Sequence, residues 1–187
     1  VSDLPKVSII TSIYNGDEYI EQFMEDITSQ TIFEEKCELV LIDANSPGNE
    51  EEIIKPYIEK YPNNIVYKKL DQDPGIYAVW NMGVEMATGE YLTNANLDDR
   101  HAPFAYEKQS VTLLANPDVD LVYADMLITD QPNETWAVNS SNGRKYNFPE
   151  FSYDHLKMVN MPHAAPMWRK SLHKKHARPR NFNKDRR

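Results

Sequence analysis

Asn96-Leu97-Asp98-Asp99 puts an amide and two carboxylates side by side, directly after the apolar run Glu90-Tyr91-Leu92-Thr93. In extended chain, residues 96 and 98 point to the same side, so Asn96 and Asp98 could converge on one cation or its waters. Mg²⁺ or Mn²⁺ accepts such hard oxygen ligands and takes most of its shell from water and substrate phosphate. The same acids would equally serve a plain turn or a helix cap, so the stretch gains meaning only from its surroundings. Two further polar clusters stand in comparable places. Thr11-Ser12-Ile13-Tyr14-Asn15 follows the first apolar run, and Asp43-Ala44-Asn45-Ser46 follows the second.

Phosphate-binding chemistry of the commonest kinds is missing. There is no G-x-G-x-x-G after the first apolar run and no G-x-x-x-x-G-K-[ST], and the chain has only six glycines. These absences argue against a dinucleotide dehydrogenase or a P-loop nucleotidase. With a net charge of −9, a protein cation to neutralise phosphates is not at hand either, and a divalent metal becomes the natural bridge. An acidic body also argues against nucleic acid as the partner. The last residues depart from this balance: Arg169 to Arg187 carry nine Lys and Arg against the single acid Asp185. Such a tail could bind phosphates or an anionic lipid surface, or be a solvated terminus.

Lone Cys37 excludes an intrachain disulfide and a Cys-cluster zinc site, which suits a reducing compartment such as the cytoplasm. No apolar run approaches the roughly 18 residues of a membrane span, and Val1 to Lys6 has no signal-peptide layout. At 187 residues, 41% hydrophobic and 26% charged, the composition is that of an ordinary globular domain with a real core.

The elements that must position the polar clusters alternate along the chain. Strands are predicted at Lys6–Thr11, Glu38–Ile42, Ile65–Tyr67, Glu90–Thr93 and Asp120–Ala124. Between them, Tyr19, Ile20, Phe23, Met24 and Ile27 recur at helical spacing, as do Ile53, Ile54, Tyr57 and Ile58 after the acidic start Glu50-Glu51-Glu52. Helices are also expected over Ile76–Ala87 and Pro103–Ala115, with a polar loop from Asp130 to Lys145. Strands alternating with helices imply parallel pairing through right-handed crossovers, a layered α/β sheet. In such sheets ligands bind outside the carboxyl ends of the strands, where all three polar clusters fall.

The ordered set of segments resembles family 2 glycosyltransferases. Val7 to Asn15, Gln30-Thr31 and Glu38 to Ser46 resemble the opening of that family; Asp73-Pro74-Gly75-Ile76-Tyr77, Trp80-Asn81-Met82-Gly83 and Ala87 to Leu92 continue the likeness. Asn96-Leu97-Asp98-Asp99 then falls where the family carries its D-x-D motif, and the likeness spans roughly residues 5 to 175. It implies a GT-A fold, a three-layer sandwich with a mostly parallel central sheet, as one domain over 1–175 followed by a basic tail, 176–187. It also implies inverting transfer from a nucleoside diphosphate sugar, UDP-linked by the family pattern, to a glycan or lipid-linked acceptor in polysaccharide assembly.

By the same resemblance Thr11, Ser12 and Tyr14 cradle the nucleoside. Asp43 meets the uracil edge, with Ala44 where the family has a second acid. Gly75 lets the backbone approach the ligand, and Asn81 positions the ribose or the sugar. Asp98, with Asn96 in place of the usual first acid, holds Mn²⁺ or Mg²⁺. Asp99 faces the donor sugar or acceptor, and His163, in a segment that returns beneath both, touches the diphosphate or metal. The family's catalytic base lies further downstream in an acidic motif that His176 to Arg187 do not contain; Asp125, Asp130, Asp154 and Asp185 are the conceivable substitutes. Hence two expectations stand side by side: a transferase, or a nucleotide-sugar-binding domain without turnover. Peripheral membrane contact through the tail is compatible with either, and a homodimer stays open.

Overall fold

The computed structural model describes residues 3–147, 150–160, 162 and 166–175. In chain order the first half contains β1 (Val7–Ile13), α1 (Ile20–Thr28), α2 (Phe33–Lys36), β2 (Cys37–Asp43), α3 (Glu50–Lys60), β3 (Ile65–Lys69), α4 (Ile76–Met86) and β4 (Tyr91–Asn94). There follow α5 (Ala105–Ala115), β5 (Leu121–Tyr123), β6 (Met126–Leu127), β7 (Lys145–Tyr146), α6 (Tyr153–Met158), β8 (Pro166–Arg169) and α7 (Ser171–Lys175). Six strands make one sheet in the order β3-β2-β1-β4-β8-β5, and β6 pairs with β7 in a separate ribbon. The expected α/β class holds, with β1 to β4 parallel.

Period-two alternation along the central strands decides the layers. Val7, Ile9, Ile13, Leu39 and Leu41 pack into a core with Ile20, Phe23 and Ile27 of α1, Ile54 of α3, and Tyr106 and Leu113 of α5. Their strand neighbours face the other way: Val40 and Ile42 meet Val79 of α4, while Ile10 and Leu92 meet Trp80 and Val84 of the same helix. So α1, α3 and α5 cover one face and α4 the other.

One strand differs from the alternating pattern. β8 runs antiparallel between β4 and β5, with Thr93 opposite Met167 and Val122 opposite Met167 on its other side. Thr93 Oγ1 donates to the Pro166 carbonyl at 2.7 Å, fixing the strand's end. Its four residues, led by a proline, carry no local signal, because the pairing comes entirely from chain more than 40 residues away.

The strand order turns about β1: β2 and β3 extend to one side, β4 to the other. Along β2, β1 is paired over its whole length, from Val7 with Cys37 to Ile13 with Asp43. Along β4 the ladder runs only from Val7 with Tyr91 to Ile10 with Asn94, and Ala95 N–H closes it on the Ile10 carbonyl at 3.1 Å. Beyond that point the two chains separate, and a crevice opens at the carboxyl ends of the strands, at the topological switch point.

Candidate functional site

The crevice is a cleft of about 280 Å³ lined by Ser12, Tyr14, Asn15, Gly16 and Tyr19 after β1, Ile76 and Trp80 of α4, and Asn96, Leu97 and Asp98 after β4. Two strand exits predicted to hold ligand therefore share one wall-to-wall space. Ser12 belongs to the α4 face of β1, which is why it meets α4 there; Tyr14, 57% exposed, stands at the mouth. Ile76 and Trp80 are one helical turn apart and so share the stripe that α4 turns to the cleft. Asn81, one residue further round, is half-buried outside that wall. Gly75 caps α4 with φ +88°, a conformation only glycine adopts without strain, and its N–H donates to Asp73 Oδ1 at 2.7 Å.

Thr11 and Asp43 lie behind this wall. Thr11 is fully buried on the α1/α3 face, opposite Ser12, and its Oγ1 has no hydrogen-bond partner. Asp43 is 1% exposed; its Oδ1 accepts from Ser46 N–H at 2.6 Å and its Oδ2 from the Tyr67 hydroxyl at 2.8 Å, with Lys69 Nζ 3.9 Å away. Burial and the bond to Asp43 push the Tyr67 pKa up, so its proton stays on the hydroxyl and donates. Asp43 thus shapes the turn Ala44-Asn45-Ser46, in which Asn45 takes φ +63°. His163 and residues 176–187 lie outside the described residues.

A carboxylate whose place in the sequence marks it only as a helix-start acid joins the two exit loops. Glu50 opens α3, is 1% exposed, and its Oε1 accepts from Gly16 N–H at 2.6 Å and from the Ser46 hydroxyl. Ser46 Oγ in turn accepts from Asn15 N–H at 2.7 Å. Burial alone would raise the Glu50 pKa, but the Ser46 and Gly16 donors and the Lys69 charge outweigh it and hold the carboxyl below its usual range. Gly16 also lies against the third exit, where a Cβ would stand 2.4 Å from Leu97 Cδ1 and the leucine tip would have to move aside. The signal in sequence was only Glu50 itself; nothing local announces its burial.

At the β4 exit, Asp98 is exposed and Asn96 half-buried. Asn96 Nδ2 donates to Asp99 Oδ2 at 2.7 Å, which leaves the amide oxygen as the group able to bind a cation beside Asp98. Arg100 fastens the turn from behind, its Nη1 donating to the carbonyls of Leu97 and Asp99, each at 2.8 Å. Among the described residues no group of three or more His, Cys, Asp and Glu is placed to hold a metal ion. One carboxylate and one amide nevertheless fit a hard cation that keeps water and phosphate oxygens as its other ligands.

A second cavity, of about 320 Å³, lies on the far side of the same turn and is lined by Asp98 and Asp99, by α5 and by the loop between β6 and β7. Asp98 is the residue common to both spaces.

The family model for glycosyl transferase family 2 matches residues 8–176. The chain belongs to this family. Among curated relatives of this glycosyltransferase is the minor teichoic acid biosynthesis protein GgaB of Bacillus subtilis, 41% identical over 49% of this chain and 10% of that protein. Among solved structures, S. aureus TarS 1-349 in complex with UDP superposes with a TM-score of 0.72 at 19% identity, covering 92% of this chain and 49% of that one. Mannosyltransferase PcManGT from Pyrobaculum calidifontis, in complex with GDP-Man and Mn²⁺, gives a TM-score of 0.59 at 24% identity over 65% of this chain and 35% of that one. These likenesses confirm the GT-A fold. The chain spans half or less of the length of each of these proteins. Among its described residues no helix is long and apolar enough to cross a membrane.

Proposed function

We propose that this family 2 glycosyltransferase takes a sugar from a nucleoside diphosphate, UDP in the first instance, and transfers it with inversion to a glycan or lipid-linked acceptor. The observation that carries the reading is the meeting of Ser12, Tyr14 and Asp98 in one cleft at the switch point of the sheet. In this reading the nucleoside lies against Tyr14, Ser12 and the Ile76–Trp80 stripe, while Thr11, Asp43 and Glu50 set the wall from behind. Asp98 and the Asn96 amide oxygen hold a divalent cation with the diphosphate. When bound, that cation offsets negative charge building on the departing diphosphate, a contribution of several kcal/mol.

In the transfer step the acceptor hydroxyl oxygen bonds to the anomeric carbon from the face opposite the diphosphate. The bond from that carbon to the diphosphate oxygen breaks, and the electron pair leaves with the nucleoside diphosphate. The hydroxyl proton passes to a carboxylate, for which the proposal takes Asp99, one of the acids that line the second cavity with Asp98, Asp125 and Glu134. UDP complexed with TarS and Mn²⁺ complexed with PcManGT support the donor and the cation, and the teichoic acid name of GgaB supports a polymer acceptor. The basic residues 176–187 at an anionic lipid surface, on the cytoplasmic side, complete the proposal.

The test is thermal unfolding with UDP and Mn²⁺. At a ligand concentration one hundred times Kd, binding stabilises the folded state by about 2.7 kcal/mol, which raises Tm by roughly 5 °C or more for a chain of this size. No shift with UDP, GDP or any other nucleoside diphosphate would overturn the reading.

A further inference from the structure

Flat apolar side chains rim the cleft at the switch point. Tyr14 and Ile76 are exposed at its mouth, and half-buried Trp80 lines it between them and the sheet. Tyr77, 76% exposed, meets Trp80 edge to face, with ring centroids 6.0 Å apart and planes at 80°. Trp80 also packs on Ile10 and Leu92 of the sheet, so its ring is presented on a fixed support. This much apolar surface left in water beside a cleft marks a place that a ligand covers.

The groups able to read the edge of a nucleobase are placed otherwise. Asp43, at the β2 exit, has a donor on each oxygen, Ser46 N–H at 2.6 Å and the Tyr67 hydroxyl at 2.8 Å, and its side chain is buried. Ala44 beside it offers only a methyl group, packed with Val40, Ile42 and Val79. Beyond β3, Asp73 Oδ1 is taken by Gly75 N–H at 2.7 Å. None of these three residues lines the cleft. Besides rings, the lining offers the hydroxyls of Ser12, Tyr14 and Tyr19 and the Asn15 amide. Each of those groups can donate or accept, so none favours one base edge over another. The rings do not discriminate either, because every base has a flat face to stack. By contrast, a buried carboxylate that accepted N3–H would reject a base lacking that proton by roughly a hundredfold or more.

We infer that this chain is indifferent to the base of its donor. It holds nucleosides by their flat faces against Tyr14, Ile76 and Trp80, and Asp43 braces the Ser46 turn and Tyr67 in place of the uracil contact that the resemblance implies. The inference rests on the donor reading above and goes past it in naming what the site does not discriminate: UDP is then one acceptable donor nucleotide among several.

Isothermal titration calorimetry on the 187-residue chain with Mn²⁺ tests it, using UDP, N3-methyl-UDP, GDP and ribose 5-diphosphate as probes. The three nucleotides should bind within about tenfold of one another, and ribose 5-diphosphate, which has no base, roughly tenfold or more weakly than UDP. Tyr14→Ala, at an exposed position, should weaken all three nucleotides by a common factor of about five to ten and leave ribose 5-diphosphate unchanged, while Tyr14→Phe keeps wild-type affinity. A preference of more than tenfold for UDP over N3-methyl-UDP or GDP would overturn the inference. So would ribose 5-diphosphate binding as tightly as UDP, or a Tyr14→Ala loss confined to one base. In each of those cases UDP still binds and the donor reading stands. Failure of all four probes to bind the wild type is the separate result that fells the donor reading, and the inference with it.

Discussion

At the amino-terminal ends of the strands, Glu38 is 4% exposed and is surrounded by donors: Lys6 Nζ at 2.7 Å, Ser8 Oγ at 2.5 Å, Thr88 Oγ1 at 2.6 Å and the Thr88 N–H. At the carboxyl ends, Asp98 is exposed and borders two cavities. Glu38 joins β1, β2 and the turn before β4, so its charge is spent inside the protein. Asp98 stands where the same strands splay apart, and its charge is available to something that arrives. Asp43 and Glu50 fall between these extremes at the open pole: both Asp43 oxygens are bonded inside the protein, whereas Glu50 is bonded through Oε1 and its Oε2 is buried without a partner. One sheet therefore keeps a carboxylate spent inside the protein at one end and an exposed one at the other, the latter being the charge to which the proposed function gives a ligand.

The largest effect expected from this contrast is on stability. Glu38→Ala leaves the buried Ser8 hydroxyl without its acceptor and removes the acceptor of Lys6 and of the part-buried Thr88 N–H, and chemical denaturation should show a loss of about 2 kcal/mol or more. UDP binding by the folded fraction should be unchanged. Asp98→Ala should do the reverse: nucleoside diphosphate binding with Mn²⁺, or sugar transfer, falls roughly a hundredfold, while stability stays within about 0.5 kcal/mol of wild type. If the two variants behaved alike in both assays, the division between the poles would be false.

Acid sharpens the same comparison. Burial pushes the Glu38 pKa up, but the bonds from Lys6, Ser8 and Thr88 outweigh it and hold it at about 2, against 4.5 for a free glutamate. A carboxylate held low in the folded state contributes stability that is complete above the unfolded value and is lost as pH falls toward the folded one. Wild type should therefore lose stability between about pH 4.5 and 2. Denaturation curves of Glu38→Gln should show a shallower decline in that window, the remaining slope including Glu50, whose pKa is also lowered.

How far sequence reveals this arrangement depends on the range of the cause. β1 and β2 are legible because a parallel strand buried on both faces must be an apolar run, and the polar exits are legible because the runs stop there. Ser12 and Asp98 could be placed together on that basis. Thr11 and Asp43 share the exits with them, yet strand parity turns both toward the α1/α3 layer, and parity relative to the ligand is set only once α4 has docked. Asn81 differs from Trp80 by one helical step for the same reason. Glu50 looks like any first-turn acid until the Ser46 and Gly16 loops close over it.

The smallest effect concerns Asn96, where the open pole departs from the family's usual pair of acids. Asn96→Asp adds a second carboxylate beside Asp98, which should strengthen Mn²⁺ binding several-fold, as added ligand charge does for a hard cation. The change also removes the amide N–H that Asp99 Oδ2 accepts at 2.7 Å and sets a like charge there instead. Without metal the variant should therefore be less stable than wild type by up to about 1 kcal/mol, and saturating Mn²⁺ should recover the loss. Thermal unfolding with and without Mn²⁺ separates the two contributions. Should the metal stabilise both proteins equally, residue 96 is no part of the cation's shell, and the amide serves only to orient Asp99.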